Sequence, residues 1–446
     1  MTGNLPLASL NQQSLRRQLP DRVRVLILGG GCHGLGVLHD LASRGWRDIH
    51  LVDKSTIGSG TSSKSTKLIH GGLRYLQHVR DFPLVAEALR ERRVLLTVAP
   101  DIVKPLELIF PVLKSGGVSR LAIKAGLTLY DLLAGRANVA RHHRLTGEEA
   151  LARAPVMNLD AFSSFYGFWD CQMDDLALSH RVAASAVRLG AGISENCSVE
   201  RIRQIDDGFE VEIREPTGSL RKVSALFVLN ALGPWSNNLL TASGMVPAWN
   251  GINVRGAHVV FPDVGLKAGL FLQSPADKRI FFVLPWRGHT LVGTTEARQE
   301  GSPDDVAVQD SEVSYLLERC NTYLNRPFRP ADAVSTFCGL RWLAADEDSS
   351  LTATSRAWSI GERRSKRGLL MTIYGGKWST YRALAQTIGD RITSHFGEFR
   401  PSRTMEPSAW AGVGESAVPV PDVIARFAPD AGIDMPARRL DIGSGS

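Results

Sequence analysis

A glycine-rich segment near the start of the chain has the spacing of a phosphate-binding turn. An apolar, strand-like run, residues 23–28, leads directly into Gly29-Gly-Gly31-Cys-His-Gly34. Gly29 would let the chain turn out of the strand, Gly31 would let the backbone approach a pyrophosphate, and Gly34 would let the next helix pack closely. The positive end of that helix, roughly residues 35–44, would face the phosphates. The segment therefore predicts a dinucleotide site.

A carboxylate stands at the position that such a site requires. A second apolar run, residues 49–52, ends at Asp53. In a strand–turn–helix–strand unit, an acid at this point accepts a hydrogen bond from a ribose hydroxyl. The alternative is a glycine turn in an unrelated α/β domain. The preceding strand, the helix and the acid together favour dinucleotide binding.

Composition limits the class of protein. The chain has 446 residues, 43% of them apolar and 22% charged, which is typical of a globular protein of two or three domains. No run approaches about 18 apolar residues, and the first twenty residues do not resemble a signal peptide, so no transmembrane helix or leader is expected. The five scattered cysteines favour a reducing cytoplasm and argue against a disulfide framework or a metal site.

The net charge leaves several partners open. A charge of +7 and a pI near 9.3 favour an anionic substrate or an anionic membrane surface, although charge that serves only solubility is the alternative. Nucleic acid is not expected, because no cationic block is interleaved with aromatic residues.

Periodicity and turn residues predict the elements that would position these groups. Helices are predicted at 83–99, 118–134, 175–190, 310–325 and 378–393. Strands are predicted at 199–205 and 209–213 as a hairpin, and at 227–229, 258–261, 280–284, 290–293, 358–360 and 369–373. A second glycine-opened helix, after Gly375-Gly376, lies far from the first. This suggests one cofactor domain assembled from distant segments around an inserted, β-rich substrate domain.

One polar segment resembles a known signature. Thr61-Ser-Ser-Lys-Ser-Thr-Lys-Leu-Ile-His-Gly-Gly-Leu-Arg-Tyr-Leu76 is similar to that of the FAD-dependent glycerol-3-phosphate dehydrogenases. The resemblance covers roughly residues 12–395. Further segments agree in order, namely Leu129-Tyr-Asp-Leu-Leu-Ala-Gly135, Asn230-Ala-Leu-Gly-Pro-Trp235, Arg255-Gly-Ala-His258, Pro285-Trp286 with Val292-Gly-Thr-Thr295, and Tyr374-Gly-Gly-Lys-Trp-Ser-Thr-Tyr-Arg382.

The resemblance implies a fold and an activity. Members of this family are D-amino-acid-oxidase-like flavoproteins that oxidise sn-glycerol 3-phosphate to dihydroxyacetone phosphate, by hydride transfer from C2 to flavin N5. The reduced flavin usually passes its electrons to a membrane quinone. The implied fold is α/β, with a Rossmann-like FAD-binding domain of discontinuous segments and an inserted mixed β-sheet substrate domain.

The resemblance also divides the chain. It assigns residues 20–110, 165–245 and 335–398 to the FAD-binding domain, and 111–164 and 246–334 to the substrate-binding domain. Residues 399–446 would form a short, truncated C-terminal segment.

Matched positions predict the site residues. His258 and Arg341 would be catalytic, and Arg74, Tyr75, Arg356 and Lys377 would bind the phosphorylated substrate, since arginine forks suit a phosphate dianion. Cofactor-binding residues would be Gly29, Gly31, Gly34, Asp53, Thr61, Ser62, Ser63, Lys67, Leu68, Gly72, Val199, Gly233, Gly376, Lys377 and Trp378.

Each assignment has a structural alternative. Arg74 and Tyr75 would otherwise be ordinary surface residues, and His258 would be a core histidine. Arg341 and Arg356 would form ion pairs with Asp346 or Glu347. The whole chain would otherwise be an amine or amino-acid oxidase of the same superfamily, an enzyme of a related phosphorylated polyol, or a flavoprotein-like regulator without activity.

Membrane contact and assembly are left open by the sequence. The basic helix at 118–134 would lie either in a lipid interface or against its own domain. We expect a cytoplasmic protein, with a peripheral position on the cytoplasmic face of the inner membrane and a homodimer as open alternatives. The family pattern has an arginine where this chain has Ala177, a departure that puts the exact substrate in doubt.

Overall fold

The computed structural model describes residues 18–114, 118–344 and 358–412. Its strands are β1 (Arg22–Leu28), β2 (Ile49–Val52), β3 (Leu68–Ile69), β4 (Val103–Leu113), β5 (His143–Leu145), β6 (Phe162–Met173), β7 (Gly192–Ser194), β8 (Ser198–Ile205), β9 (Gly208–Arg214), β10 (Leu220–Asn230), β11 (Ile252–Pro262), β12 (Gly269–Gln273), β13 (Ile280–Trp286), β14 (His289–Gly293), β15 (Ala297–Gln299), β16 (Ser335–Leu343), β17 (Ser359–Arg364) and β18 (Leu369–Tyr374). Its helices are α1 (Cys32–Ser43), α2 (Phe82–Val98), α3 (Arg120–Ala134), α4 (Gly147–Arg153), α5 (Asp175–Arg188), α6 (Ser236–Ala242), α7 (Asp310–Asn321) and α8 (Tyr381–His395). No helix in these ranges is long and apolar enough to cross a membrane.

The first sheet has a parallel centre that is buried on both faces. Its strand order is β17-β18-β10-β1-β2-β7, and it continues from β10 through β9 to β8. The pairings from β18 through to β7 are parallel. Val25 and Ile27 of β1 belong to the core cluster that includes α1, α5 and α8, whereas Leu26 and Leu28 belong to the cluster of β8–β10 and α6. Burial on both faces explains why β1 is a continuous apolar run in the sequence.

The second sheet is mostly antiparallel and carries the other wall of the site. Its order is β15-β11-β14-β13-β12-β4-β6-β3, with β16 paired to β11 and β5 paired to β6. The long pair of β4 and β6 at its centre was not predicted from the sequence. Pro105 and Pro111 lie inside β4, and proline normally counts against an internal strand.

Most other predicted elements are confirmed. The five predicted helices correspond to α2, α3, α5, α7 and α8, with ends shifted by a few residues. The predicted hairpin is β8 and β9, which pair antiparallel around the turn at residues 206–207. Helix α1 begins at Cys32, three residues earlier than predicted. The α/β class with two mixed sheets is confirmed.

The division into domains stays a prediction, but sheet membership differs from it in four segments. Residues 68–69, 103–110, 165–173 and 335–343 were assigned to the FAD-binding domain, yet they lie in β3, β4, β6 and β16 of the second sheet. The described part of the C-terminal segment packs on the first sheet's helices. Trp410 lies edge-on to His39 of α1, with ring centroids 4.9 Å apart.

Candidate active site

A cavity of about 790 Å³ lies between the two sheets. Its walls include the segments that follow the carboxyl ends of β1, β2, β10 and β18, and side chains of β11, β12, β13 and β16. In α/β proteins with a parallel sheet, ligands bind at the carboxyl ends of the strands. The cavity therefore combines a cofactor-type edge of the first sheet with a wall from the second.

Glycines form the floor of the cavity because neighbouring backbone leaves no room for side chains. Gly29 has a φ of +105°, and a Cβ there would lie 2.7 Å from the carbonyl oxygen of Ala231. A Cβ at Gly30 would lie 2.5 Å from the side chain of Ile57, and one at Gly34 would overlap the carbonyl oxygen of Gly29. These contacts give Gly29 and Gly34 the turning and packing roles expected from the sequence.

Asp53 holds the glycine turn through the main chain. Its Oδ2 accepts a hydrogen bond from the amide of Gly30 at 2.6 Å, and its Oδ1 accepts one from the amide of Ser55 at 2.7 Å. Burial raises the pKa of the Asp53 carboxyl, although both amide donors oppose this shift. The side chain also lines the cavity, where the predicted ribose contact would form.

Ser62 joins the polar segment to the start of α1. Its hydroxyl accepts a hydrogen bond from the amide of Cys32 at 2.8 Å, which caps the helix because Gly31 at the N-cap has no side chain. Its carbonyl accepts a hydrogen bond from the indole of Trp378 at 2.8 Å. Three distant segments of the chain thus meet at one end of the cavity.

The predicted cofactor residues fall into two groups. Those that line the cavity are Gly29, Gly31, Asp53, Thr61, Ser62, Leu68, Gly72, Val199, Gly233, Gly376, Lys377 and Trp378. Gly34 lies beneath this surface as a packing residue, and Ser63 and Lys67 do not line it. The glycine cradle, which side chains would fill, and the helix N-terminus above it fit the pyrophosphate of FAD.

Lys67 lies behind the wall, which differs from the prediction of a cofactor contact. Its buried ammonium lies 2.8 Å from both carboxylate oxygens of Asp175 and donates to the carbonyl of Ser63 at 2.7 Å. Burial lowers the pKa of Lys67, and the Asp175 carboxylate opposes this shift. Nothing in the residues around Lys67 indicates that Asp175 of α5 pairs with this charge.

Two cationic side chains lie beside Tyr75 on the cavity wall, in the part that we call the substrate end, as distinct from the cofactor end lined by the glycine turn and Asp53. The guanidinium carbon of Arg74 lies 5.0 Å from the centroid of the Tyr75 ring, and the ammonium of Lys377 lies 4.0 Å from it. Arg74 forms no ion pair with a carboxylate among the described residues. Positive charge of this kind on a cavity wall would attract a phosphate dianion.

Arg341 of β16 adds a third cation to this end. Its guanidinium lies 3.6 Å from the carboxylate of Glu296, and both side chains line the cavity. Burial, and to a smaller extent the charge of Arg74, lower the pKa of Arg341 below its usual value. Arg356 and the acids first considered as ion-pair partners, Asp346 and Glu347, lie outside the described residues.

His258 of β11 is buried in the cavity wall. Its Nε2 forms a 3.0 Å hydrogen bond with the hydroxyl of Thr66, and its ring stacks on Phe337 with centroids 4.8 Å apart. Nδ1 is buried and has no hydrogen-bond partner among the described residues. Burial lowers the pKa of His258 well below its usual value, and the charges of Lys67 and Arg341 lower it further. The imidazole is therefore neutral at pH 7 and able to accept a proton.

The departure from the family pattern at Ala177 does not border the cavity. Its amide donates to Oδ1 of Asp174 at 3.0 Å, which caps α5, and its side chain packs against the first-sheet core. The other carboxylate oxygen of Asp174 accepts a hydrogen bond from Arg287, in the turn between β13 and β14. An arginine from the second sheet thus reaches the start of α5.

Some lining or supporting residues were not predicted. Glu296 directly follows the Val292–Thr295 motif, and Thr66, which bonds to His258, lies inside the Thr61–Leu76 signature, so the position of each was a signal. Phe337, which stacks on His258, carries no such signal. At the rim near Asp53, the ammonium of Lys54 pairs with Asp304 and lies 4.3 Å from the centroid of the Trp235 ring. Within the described ranges, no group of three or more metal-binding side chains is found.

Comparison with known proteins agrees with this geometry. The profile of the FAD dependent oxidoreductase (DAO) family matches residues 24–382. The chain is 34% identical over 370 residues to a D-erythritol 1-phosphate dehydrogenase of Brucella abortus (strain 2308), covering 82% of this chain and 73% of the relative. It is 32% identical over 387 residues to the aerobic glycerol-3-phosphate dehydrogenase of Escherichia coli (strain K12), covering 86% and 75% respectively.

A solved structure shares the fold. The glycerol-3-phosphate dehydrogenase from Bacillus halodurans, complexed with FAD, superposes with a TM-score of 0.71 at 22% identity. The match covers 90% of this chain and 70% of that one.

Proposed function

The chain belongs to the family of FAD-dependent oxidoreductases, with FAD as its cofactor, and on that premise we propose that it oxidises sn-glycerol 3-phosphate to dihydroxyacetone phosphate. The observation that carries the proposal is the group of three cations, Arg74, Arg341 and Lys377, close to Tyr75 on the wall of the cofactor cavity. A carboxylate substrate needs about one such cation, whereas a phosphate dianion is best held by several.

Each residue of the site has its own role in the proposed reaction. FAD, when bound, supplies the acceptor for the hydride that leaves C2 of the substrate. Arg74, Lys377 and Arg341 hold the phosphate, and Arg341 also stabilises negative charge on the substrate's other oxygens. His258, neutral at pH 7, takes the proton of the C2 hydroxyl as a general base. The glycine cradle and Asp53 fix the cofactor at the opposite end of the cavity.

A related phosphorylated polyol is the second candidate substrate. It is supported by the 34% identity to a D-erythritol 1-phosphate dehydrogenase, which is as high as the identity to the glycerol-3-phosphate enzymes. The same three cations would hold either phosphate. An amine or amino-acid oxidase is disfavoured by that number of cations, because a single carboxylate needs about one of them.

We further propose that a membrane quinone reoxidises the flavin, at a peripheral site on the cytoplasmic face of the inner membrane. The support is α3, where Leu121 and Leu132 are 78% and 72% exposed, close to Arg120 and Lys124. When mixed with anionic phospholipid vesicles and sedimented, the Leu132→Asp variant should stay in the supernatant. The control variant Leu220→Asp, which changes an exposed leucine on β10, should sediment with the vesicles. Equal binding of both variants would contradict a role for α3.

The homodimer is a separate proposal, and light scattering of the purified holoenzyme tests it.

Anaerobic bleaching of the flavin tests the proposed reaction. The holoenzyme is mixed with sn-glycerol 3-phosphate, D-erythritol 1-phosphate, unphosphorylated glycerol or glycine, and flavin absorbance is followed. Rapid bleaching by a phosphorylated polyol alone is expected. Reoxidation by a soluble quinone that is faster than by oxygen would support a dehydrogenase. Bleaching by glycine, or by none of the phosphorylated polyols, would contradict the proposal.

A further inference from the structure

A buried polar network lies directly beneath the segment that presents Arg74 and Tyr75. Arg92 of α2 donates to Oδ1 of Asp170 on β6 at 2.6 Å, and the hydroxyl of Tyr130 on α3 donates to the same oxygen at 2.7 Å. The side chains of Arg92 and Asp170 are 0% and 3% exposed, and Tyr130 is equally buried. Three separate elements therefore meet at a single carboxylate.

The network ends on the main chain of the cavity wall. The amide of Gly71 donates to the Tyr130 hydroxyl at 2.8 Å and lies 3.4 Å from Oδ1 of Asp170. A Cβ at Gly71 would lie 2.7 Å from the Tyr130 hydroxyl, so only glycine allows this approach. Asp170 itself lines the cavity. The carboxylate and the phenol thus hold the backbone one residue before the turn that leads to Arg74.

The turn after Gly71 connects the held amide to the segment that carries Arg74. Gly72 has a φ of +83°, and a short 3₁₀-helix, Leu73–Gln77, begins directly after it. Arg74 and Tyr75 occupy this helix, three and four residues after the held amide. A shift of the Gly71 amide would therefore move the start of the helix that carries them.

The network is poorly suited to a purely stabilising role. Burying an ion pair costs free energy that the pair regains only when its remaining donors are satisfied. Nε and Nη2 of Arg92 are buried without a hydrogen-bond partner among the described residues. A satisfied hydrophobic contact between α2, α3 and β6 would join these elements equally well. What it could not provide is a fixed acceptor for the Gly71 amide, since buried polar networks specify one geometry.

We propose that Tyr130 and Asp170 are positioning residues, which hold the turn at residues 71–75 so that Arg74 and Tyr75 meet the phosphate of the substrate. Arg92 keeps the Asp170 carboxylate in place. This inference rests on the proposed function, because it assumes a phosphorylated substrate at Arg74. Neither Tyr130 nor Asp170 takes part in the chemistry itself.

Tyr130→Phe in the holoenzyme tests the inference, with Tyr166→Phe as its matched control. Tyr166 lies in the same apolar cluster, is also buried, and makes no side-chain hydrogen bond among the described residues. For the phosphorylated polyol that bleaches the wild type, Tyr130→Phe should raise KM roughly threefold to thirtyfold, because the Gly71 amide loses its 2.8 Å acceptor and keeps only the long contact with Asp170. The limiting rate of flavin reduction and the FAD content should stay at the wild-type values.

The outcomes separate this inference from the proposed function. If no phosphorylated polyol bleaches the wild type, the proposed function fails first. If one does, and Tyr130→Phe has the KM of Tyr166→Phe, the positioning role is wrong. A fall in FAD content or in the limiting rate without a change in KM would also overturn it. Asp170→Asn, which keeps the shape of the side chain, provides a second variant and should raise KM in the same direction.

Discussion

The two ends of the cavity are made from different parts of the chain. At the cofactor end, main-chain atoms form most of the binding surface, which is shaped by Gly29, Gly34 and the amides around Asp53. At the substrate end, side chains form it, since Arg74, Arg341 and His258 arrive from a 3₁₀-helix and two strands of the second sheet.

This difference determines what each end tolerates. A main-chain surface fails completely when a Cβ is added, because neighbouring backbone atoms cannot move aside. A substitution in a surface of side chains removes only the contacts of that side chain. Substitutions there should therefore reduce binding or rate by different amounts instead of abolishing them. Variants at the two ends should therefore differ in kind as well as in size.

The largest effect is expected at the cofactor end, for Gly34→Ala. The added Cβ would overlap the carbonyl oxygen of Gly29, so α1 cannot pack against the turn. Purified protein should contain almost no FAD, as judged by the ratio of flavin to protein absorbance. Gly126→Ala is the control, because a Cβ there meets no atom within 4 Å. Full flavin content in Gly34→Ala would show that the turn is not a main-chain site.

His258→Ala should give the next largest effect. Loss of a general base slows proton transfer by about 10²–10⁴-fold. Anaerobic stopped-flow should therefore show much slower flavin reduction, with FAD content unchanged and KM changed far less. A reduction rate equal to that of the wild type would remove His258 from catalysis and leave it as a core histidine.

Arg74→Ala should mainly weaken binding. A hydrogen bond to a charged group contributes about 1.5–3 kcal/mol, so KM for the phosphorylated substrate should rise about tenfold to a hundredfold. Arg80→Ala is a suitable control, since its guanidinium is exposed and, among the described residues, pairs only with Asp81 at 3.9 Å. Steady-state kinetics in which both variants behave alike would place the phosphate elsewhere.

The smallest effect is expected for a side-chain contact at the cofactor end. Lys54 and Asp304 pair at the cavity rim, but their side chains are 40% and 57% exposed. Exposed pairs contribute at most about 1 kcal/mol, so Asp304→Asn should change the FAD dissociation constant less than about fivefold. A larger change, measured by fluorescence titration of the apoprotein, would mean that side chains matter as much at this end.

The same contrast explains what the sequence could reveal. The glycine turn, α1 and Asp53 form one local unit, so their spacing alone predicted the strand–turn–helix–strand unit and a dinucleotide cofactor. The β8–β9 hairpin was equally local. Strands β4 and β6 were missed because two prolines interrupt the β4 pattern and because its partner lies far along the chain.

Contacts between side chains of distant elements could not be predicted from local sequence patterns. Lys67 was predicted to contact the cofactor, and nothing in its own segment indicates that Asp175 of α5 lies beside it. Ala177 was expected to affect the substrate site, yet it does not line the cavity and packs against the first-sheet core. The cations at the substrate end were found only through the family resemblance, since nothing local brings Arg74 and Arg341 together.

A crystal structure of the oxidised holoenzyme with sn-glycerol 3-phosphate tests the central claim most directly. The account predicts phosphate oxygens within hydrogen-bonding distance of both Arg74 and Arg341, and the C2 hydroxyl beside the His258 ring. A phosphate bound away from these guanidinium groups, or a substrate whose C2 hydroxyl lies remote from His258, would contradict it.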